Sequence, residues 1–349
     1  MASRPAKPVS TVALQCRDDG EEPLASLSAA TRIGDTLFLA GDESARIELF
    51  RIVGEKAVDH SSIALGSLLD LADPDEEADI EGLAVDDDRF LWLVGSHART
   101  RRKPGKQEGE RIDLELLADL RDTRPRCLLA RLPLVTTPAG WRPVRSDGVR
   151  RAGMVRQGRK GSRLARRLHK DPLLKPFTRL PAKEGGVDIE GIAICGDRIA
   201  LGMRGPVIAS HALMLELRFR VGRSGRIKLC GKPFKRLLEL AGLGIRDLKR
   251  RGDDLLILAG PTTGLDGPCA LYRWPGWALD EACNDTVVRL HRPQRLLDLP
   301  HGVGDDHPEG LALWDEAGRE LLVVYDSPSA TRRGAGGSAG DCDVFALPG

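Results

Sequence analysis

The hexapeptide DIEGLA at residues 79–84 returns as DIEGIA at 188–193 and, altered, as HPEGLA at 307–312. A hydrophobic core has no use for a repeated acidic phrase, because buried carboxylates are costly unless they are paired. The residues just beyond each copy decide the fold. After every EGxA comes a polar turn and then a short, mainly apolar strand: EGLAVDDDRFLWLVG, EGIAICGDRIALGM and EGLALWDEAGRELLVVYD. Two degenerate copies share this frame, LSAATRIGDTLFLAGDE near the N-terminus and IRDLKRRGDDLLILAGP from Ile245. Their turns are rich in Gly and Asp, as hairpins require.

A third strand comes next in each unit: RIELFRIV, RCLLARLPL, ALMLELRF, CALYRWPG and DCDVFALPG. A fourth is expected just ahead of the next motif, in SLLDLA, PFTRLP, RLLELA and RLLDLP. In three of these the last leucine stands ten residues before the motif glutamate (Leu71 to Glu81, Leu180 to Glu190, Leu299 to Glu309). The final unit lacks a fourth strand, and the apolar N-terminal segment at 8–17 has no partner of its own. Joining the two completes a unit and removes open sheet edges, as a β-propeller does. The expectation is one all-β domain over residues 1–349, a five-bladed β-propeller. The motifs start at Ala25, Asp79, Asp188, Gly244 and His307, spacings of 54, 109, 56 and 63. The long interval admits a sixth blade as the alternative. Its interior, GVRRAGMVRQGRKGSRLARRLHK, has no apolar strand pair and reads as a basic, partly helical insertion in the second blade.

The net charge of +2 over 349 residues conceals a strongly basic segment between residues 97 and 184 within an otherwise acidic chain. Two insertions account for it. Residues 98–126 contain RIDLELLADLRD, a short amphipathic helix and a candidate lid. Residues 135–173 are the more basic piece, suited to an acidic partner or surface. Aromatic residues make up only 4% of the chain, so specific nucleic-acid recognition by stacking is not expected. Seven cysteines without CxxC spacing, no secretory signal and no run of transmembrane length point to a cytoplasmic protein with reduced thiols. Walker, dinucleotide-fingerprint, GxSxG and HExxH motifs are all absent.

In a propeller the first strand of each blade lines the channel and the second runs back beside it. The start of one and the end of the other therefore share a face. Asp79, Glu81, Asp188, Glu190, Arg246, Asp247, His307 and Glu309 should converge there with Asp42, Glu43, His97, Arg204, Thr262 and Asp326. So many carboxylates repel one another unless arginine, protons or a metal compensate. Glu81, Glu190, Glu309 and Asp326 are the candidate metal ligands. An all-oxygen set favours Ca²⁺ or Mg²⁺ over Zn²⁺ or Mn²⁺, which His97 and His307 would permit. Asp79, Asp188 and His307 are candidates for proton transfer, and His97, Arg204 and Arg246 for holding a small anionic ligand or substrate. The loop PHGVGDDHPEG adds His301, Asp305 and Asp306 to the rim. A purely architectural Glu-Gly pair is the competing explanation. Against it, Leu27 and Arg246 replace the glutamate in two units, although every blade should need a scaffold residue.

SAATRIGDTLFLAGDE, the repeated DIEGxA and the closing HPEGLAL…LLVVYDSP make the chain resemble a bacterial family of domains of unknown function classed among β-propellers. More distantly it looks like phytase-like and esterase-like propellers. That likeness implies Ca²⁺ held by channel-mouth carboxylates and hydrolysis of a phosphate ester or other anionic ester. The alternative is a non-catalytic propeller that binds a small ligand or a protein.

Overall fold

The second strand of each unit is apolar along its length instead of alternating. TLFLAG and FLWLVG are buried at every position, the signature of a strand covered on both faces. Each sheet must therefore lie between two others. The computed structural model, which describes residues 4–17, 22–74, 76–102, 111–121, 124–158, 161–281, 286–333 and 339–348, meets that demand with a mostly β architecture.

Strand β1 (Ser10–Gln15) precedes an antiparallel meander of β2 (Leu27–Ile33), β3 (Thr36–Gly41), β4 (Arg46–Val53) and β5 (Lys56–Ala64). The next sheet holds β6 (Ile80–Val85) and β7 (Phe90–Gly95). After helix α1 (Leu114–Ala118) it continues with β8 (Leu129–Thr137), which pairs with β9 (Gly140–Pro143) and β10 (Gly153–Met154). A small hairpin, β11 (Gln157–Gly158) and β12 (Gly161–Ser162), leads into helix α2 (Arg163–Lys170). The third meander is β13 (Asp188–Cys195), β14 (Arg198–Gly205), β15 (Ala212–Val221) and β16 (Ile227–Leu238). The fourth begins with β17 (Gly244–Arg251), β18 (Asp254–Gly260) and β19 (Cys269–Trp274). There β20 (Leu290–His291) turns aside to the edge of β16, and β21 (Gln294–Leu299) completes the sheet. Last come β22 (His307–Leu313), β23 (Glu320–Asp326) and β24 (Ala339–Ala346).

Inner strands pack side by side in the cyclic order β2, β6, β13, β17, β22 and back to β2. The core obeys the same plan, as clusters shared by neighbouring sheets. Phe38 and Ile47 meet Leu83 and Leu91, and Trp92 and Val94 meet Ile192 and Leu201. Strand β1 lies antiparallel to β24 and touches β5 in parallel at Ala13 and Leu14, so the chain ends link the last sheet to the first. The architecture is propeller-like. Among the described residues, the segment 145–187 adds only two-residue strands, short 3₁₀ turns and α2, and no further four-stranded sheet. No helix among the described residues is long and apolar enough to cross a membrane.

Two expected fourth strands are corrected. SLLDLA overlaps a 3₁₀ turn, Leu65–Ser67, and its Leu68 and Leu69 fill the core as part of a loop. The edge strand of that unit is the more polar β5. PFTRLP likewise holds a 3₁₀ turn, Phe177–Arg179, with Leu180 40% exposed. Two prolines there remove ladder donors, and β10 takes the edge. RLLELA and RLLDLP do overlap β16 and β21. Equal leucine spacing thus conceals unequal structures.

The insertions differ in how firmly they pack. Helix α1 is capped by Asp113, which accepts from Glu115 N and Leu116 N, but Leu114 is 75% exposed. Helix α2 is capped by Ser162 and buries Leu164 and Leu168 in the core shared by the second and third sheets. Its Arg167 donates to the carbonyls of Leu229 and Gly231 at 2.7 and 2.5 Å. Part of the basic insertion is therefore spent on fastening itself to the third sheet.

Candidate functional site at the channel mouth

Every inner strand breaks register at an equivalent place, Leu27/Ala29, Ile80/Gly82, Ile189/Gly191, Ile245/Asp247 and Pro308/Gly310, and β13 breaks it once more at Asp188/Ile189. The residue skipped is Ser28, Glu81, Glu190, Arg246 or Glu309. A bulge leaves its extra residue outside the ladder and re-aims the side chain. The motif glutamates are these bulge residues. In the first unit the equivalent residue is Ser28, a correction to the expected Leu27. Leu27 pairs opposite Gly41 and is buried in the core, while Ser28 Oγ donates to Ile80 O.

The glycine after each glutamate has a packing role. A Cβ on Gly82 would fall 2.8 Å from Val94 Cγ1 and 3.1 Å from Glu190 O; on Gly191 it would fall 2.8 Å from Leu248 Cγ. Adjacent inner strands approach closely only because that side chain is missing. In the fourth unit Asp247 occupies this place and is buried. It accepts from Leu311 N and from Lys249 Nζ, both at 2.7 Å, and Lys249 Nζ also donates to Leu83 O at 2.9 Å. Burial pushes Asp247 up to about 6, against the pull of Lys249.

Around the mouth the carboxylates fall into two groups. In the first, Arg204 pairs with Asp188 and, at 2.8 Å, with Glu190, and Arg246 pairs with Glu309 and lies 3.6 Å from Glu190. Burial lowers both guanidiniums, but the surrounding carboxylates outweigh it and hold them above their ordinary value. Two guanidiniums here stand among three carboxylates, and burial still raises Glu190 well above the usual carboxylate range against the pull of Arg204 and Arg246.

The second group is Asp42, Asp79 and Glu81, with one carboxylate oxygen from each within 4.8 Å of the others. Asp79 sits at φ 51° and accepts from Ser96 Oγ and from Arg126. Asp42 Oδ1 is buried with no hydrogen-bond partner. Among the described residues Glu81 accepts no hydrogen bond and pairs with no cation. Burial, reinforced by Asp79 and Asp326, pushes Asp42 up to about 7. Burial also takes Asp79 to about 6 despite Arg126, and with Asp79 and Glu190 it drives Glu81 well above the usual carboxylate range. Three carboxylates thus share one cation, Arg126, which also reaches Glu77 at 3.3 Å.

Of the remaining expected residues, Asp326 lies at the end of β23 opposite His307, and burial and Glu309 raise its pKa. His307 Nε2 is 2.8 Å from Asp266 Oδ1. His97 makes its polar contacts with Gly95 O at 2.9 Å and Ser162 Oγ at 3.3 Å, and burial lowers it to about 4. In the rim loop, Asp306 accepts from Ser329 N at 2.8 Å and pairs with Arg332, while His301 is exposed. Arg126, Ser96 and Asp266 were not found from the sequence. Arg126 opens the third-strand segment RCLLARLPL and Ser96 and Asp266 lie outside the repeated strands, and only the folded chain brings them to the rim.

Residues 26–340 match the family described as "Protein of unknown function (DUF3616)". The chain belongs to this family. The match spans every inner strand and every mouth residue of this DUF3616 chain. No curated protein matches it in sequence. Solved structures similar to it include Myxococcus xanthus glutaminyl cyclase, at 10% identity over 98% of this chain and 100% of that one, TM-score 0.42. A streptogramin B lyase matches at 9% identity over 97% and 98%, TM-score 0.37. Kuenenia stuttgartiensis hydrazine synthase matches at 10% identity over 85% of this chain, TM-score 0.33, and this chain spans 60% of its length. No chemistry transfers from such likenesses.

Proposed function

We propose that the chain is a five-bladed propeller whose channel mouth holds a divalent cation on Asp42, Asp79 and Glu81 and there binds a small anionic ligand. The observation that carries this is the carboxylate trio, whose oxygens lie within 4.8 Å of one another with one arginine, Arg126, beside them, whereas the neighbouring three carboxylates have two, Arg204 and Arg246. Three hard oxygen donors suit Ca²⁺ or Mg²⁺. Glu190 and Glu309, engaged by arginine, serve as the wall of the site, and Asp326 lies beside them. Asp188 and Arg204 act as a pair. Arg246 would meet an anionic ligand only by yielding a carboxylate.

Hydrolysis of a phosphate ester or other anionic ester is the second reading, favoured by the His307–Asp266 pair. A carboxylate orienting an imidazole at the rim suits a general base acting on water. A cation at the trio would supply charge stabilisation to such a reaction.

The test is calorimetric titration of the chelator-treated protein with Ca²⁺ and Mg²⁺, alongside melting curves. Saturable binding should stabilise the fold by about 2.7 kcal/mol at a cation concentration 100-fold above Kd. The Asp42→Asn/Glu81→Gln variant should lose both signals while remaining folded. Absence of saturable binding, or its survival in the double variant, would sink the proposal.

A further inference from the structure

A cavity of about 550 Å³ lies apart from the mouth and shares no residue with it. Its walls come from the loop after the first meander, the basic insertion and the turn between β15 and β16. Arg145, Arg151, Arg156 and Arg226 all line it. Arg145 is paired with Asp70, the acidic residue among the lining residues. Arg151, Arg156 and Arg226 have no side-chain hydrogen bond or ion pair among the described residues. Two other arginines of this insertion are consumed, Arg150 by Asp147 and Arg167 by the carbonyls of Leu229 and Gly231.

The two loops carrying these arginines are locked together. A Cβ on Gly153 would fall 2.0 Å from Gly225 O, and one on Gly225, at φ +79°, 2.3 Å from Ala152 O. Val155 and Ile227 form a parallel bridge immediately beside this contact. The backbones that carry the exposed Arg151 and Arg156 on one wall and the exposed Arg226 on the other are thus fixed relative to each other.

We propose that this cavity is a binding site for a small polyanion of the polyphosphate class. Several guanidiniums converging on one concavity raise the local positive potential, and their planar forks match phosphate oxygens in pairs. A molecule with linked phosphates engages several at once without ordering the loops anew. The volume falls within the range of small-molecule sites, roughly 300–1,000 Å³. Among the described residues no aromatic side chain lines it, so a base or a single strand finds no platform there on which to stack.

The test is calorimetric titration of the full chain with sodium tripolyphosphate in buffer free of divalent cations at physiological ionic strength. Saturable one-to-one binding is expected. The Arg151→Gln/Arg156→Gln/Arg226→Gln variant should bind about tenfold more weakly or worse. An Arg163→Gln/Arg166→Gln control on α2, and the Asp42→Asn/Glu81→Gln mouth variant, should bind as the parent does. Each single arginine substitution should weaken binding severalfold, which keeps the test available if the triple variant misfolds. No saturable heat, or no change in any arginine variant, overturns the proposal. So does an equal loss in the α2 control, which would mean a diffuse basic field, or loss in the mouth variant, which would move the ligand to the channel. Tight binding of a single-stranded oligonucleotide that tripolyphosphate cannot displace overturns it as well.

Discussion

Glu190 and Glu81 occupy the same bulge in neighbouring inner strands, and burial raises both well above the usual carboxylate range, yet their nearest charges differ. Glu190 lies between Arg204 and Arg246; Glu81 faces Asp42 and Asp79 with no cation of its own. One side of the mouth is an ion-pair network of two arginines among three carboxylates. The other side concentrates like charge, which is stable only if protons or a cation supply the balance. A repeated motif therefore places a carboxylate at a given depth and angle, and the neighbours decide what that carboxylate does.

The sharpest way to break the contrast is to remove a cation from the side with two arginines. Arg246→Met leaves Glu309 and Glu190 buried with one arginine fewer, which should cost about 3–5 kcal/mol in urea unfolding. Glu81→Gln, the counterpart on the side of the trio, should be neutral or stabilising without added cation, because it removes repulsion. Equal destabilisation by both would erase the distinction.

The glycines should be indifferent to it. Gly82→Ala and Gly191→Ala each press a methyl group against the neighbouring strand and should destabilise by about 1–3 kcal/mol, by similar amounts on the two sides. A large asymmetry between them would tie the glycine to the site instead of the scaffold.

The remaining contrast is with pH. Asp42 and Asp79 are raised from 3.8 to about 7 and about 6, so the folded state holds their protons more tightly than the unfolded chain does. Their contribution is complete below about pH 3.8 and is lost as pH rises through the folded values. Unfolding free energy measured without cation should therefore decline between pH 4 and 7. Asp42→Asn should flatten that decline, and saturating Ca²⁺ should offset it. A rise over this window that is insensitive to Asp42→Asn would contradict the picture.

Much of the β plan was legible because its signals are local. Continuous apolar runs such as TLFLAG mark strands covered on both faces, Gly-Asp turns mark hairpins, and the recurrence of Glu-Gly marks inner strands. The edge strand β5 was missed because KAVDHSSIA carries weak apolar patterning, whereas the apolar SLLDLA beside it packs as a loop. In the first unit the match of Ser28 to the glutamates depended on register against β3, which sequence counting misjudged by one residue.

By itself, then, the sequence determined the repeating strand-and-turn order and the recurrence of a carboxylate beside a glycine, since both rest on interactions within a few residues. Tertiary structure alone decided which carboxylates lie beside arginine, that Asp42, Asp79 and Glu81 of those on the shared face come within 4.8 Å of one another, and that three unpaired arginines share one cavity. Those outcomes depend on distances of a few ångströms between strands far apart in the chain. Over that range the Coulomb energy between charges and the loss of solvent around them change steeply, and neither is encoded in the spacing of residues along the sequence.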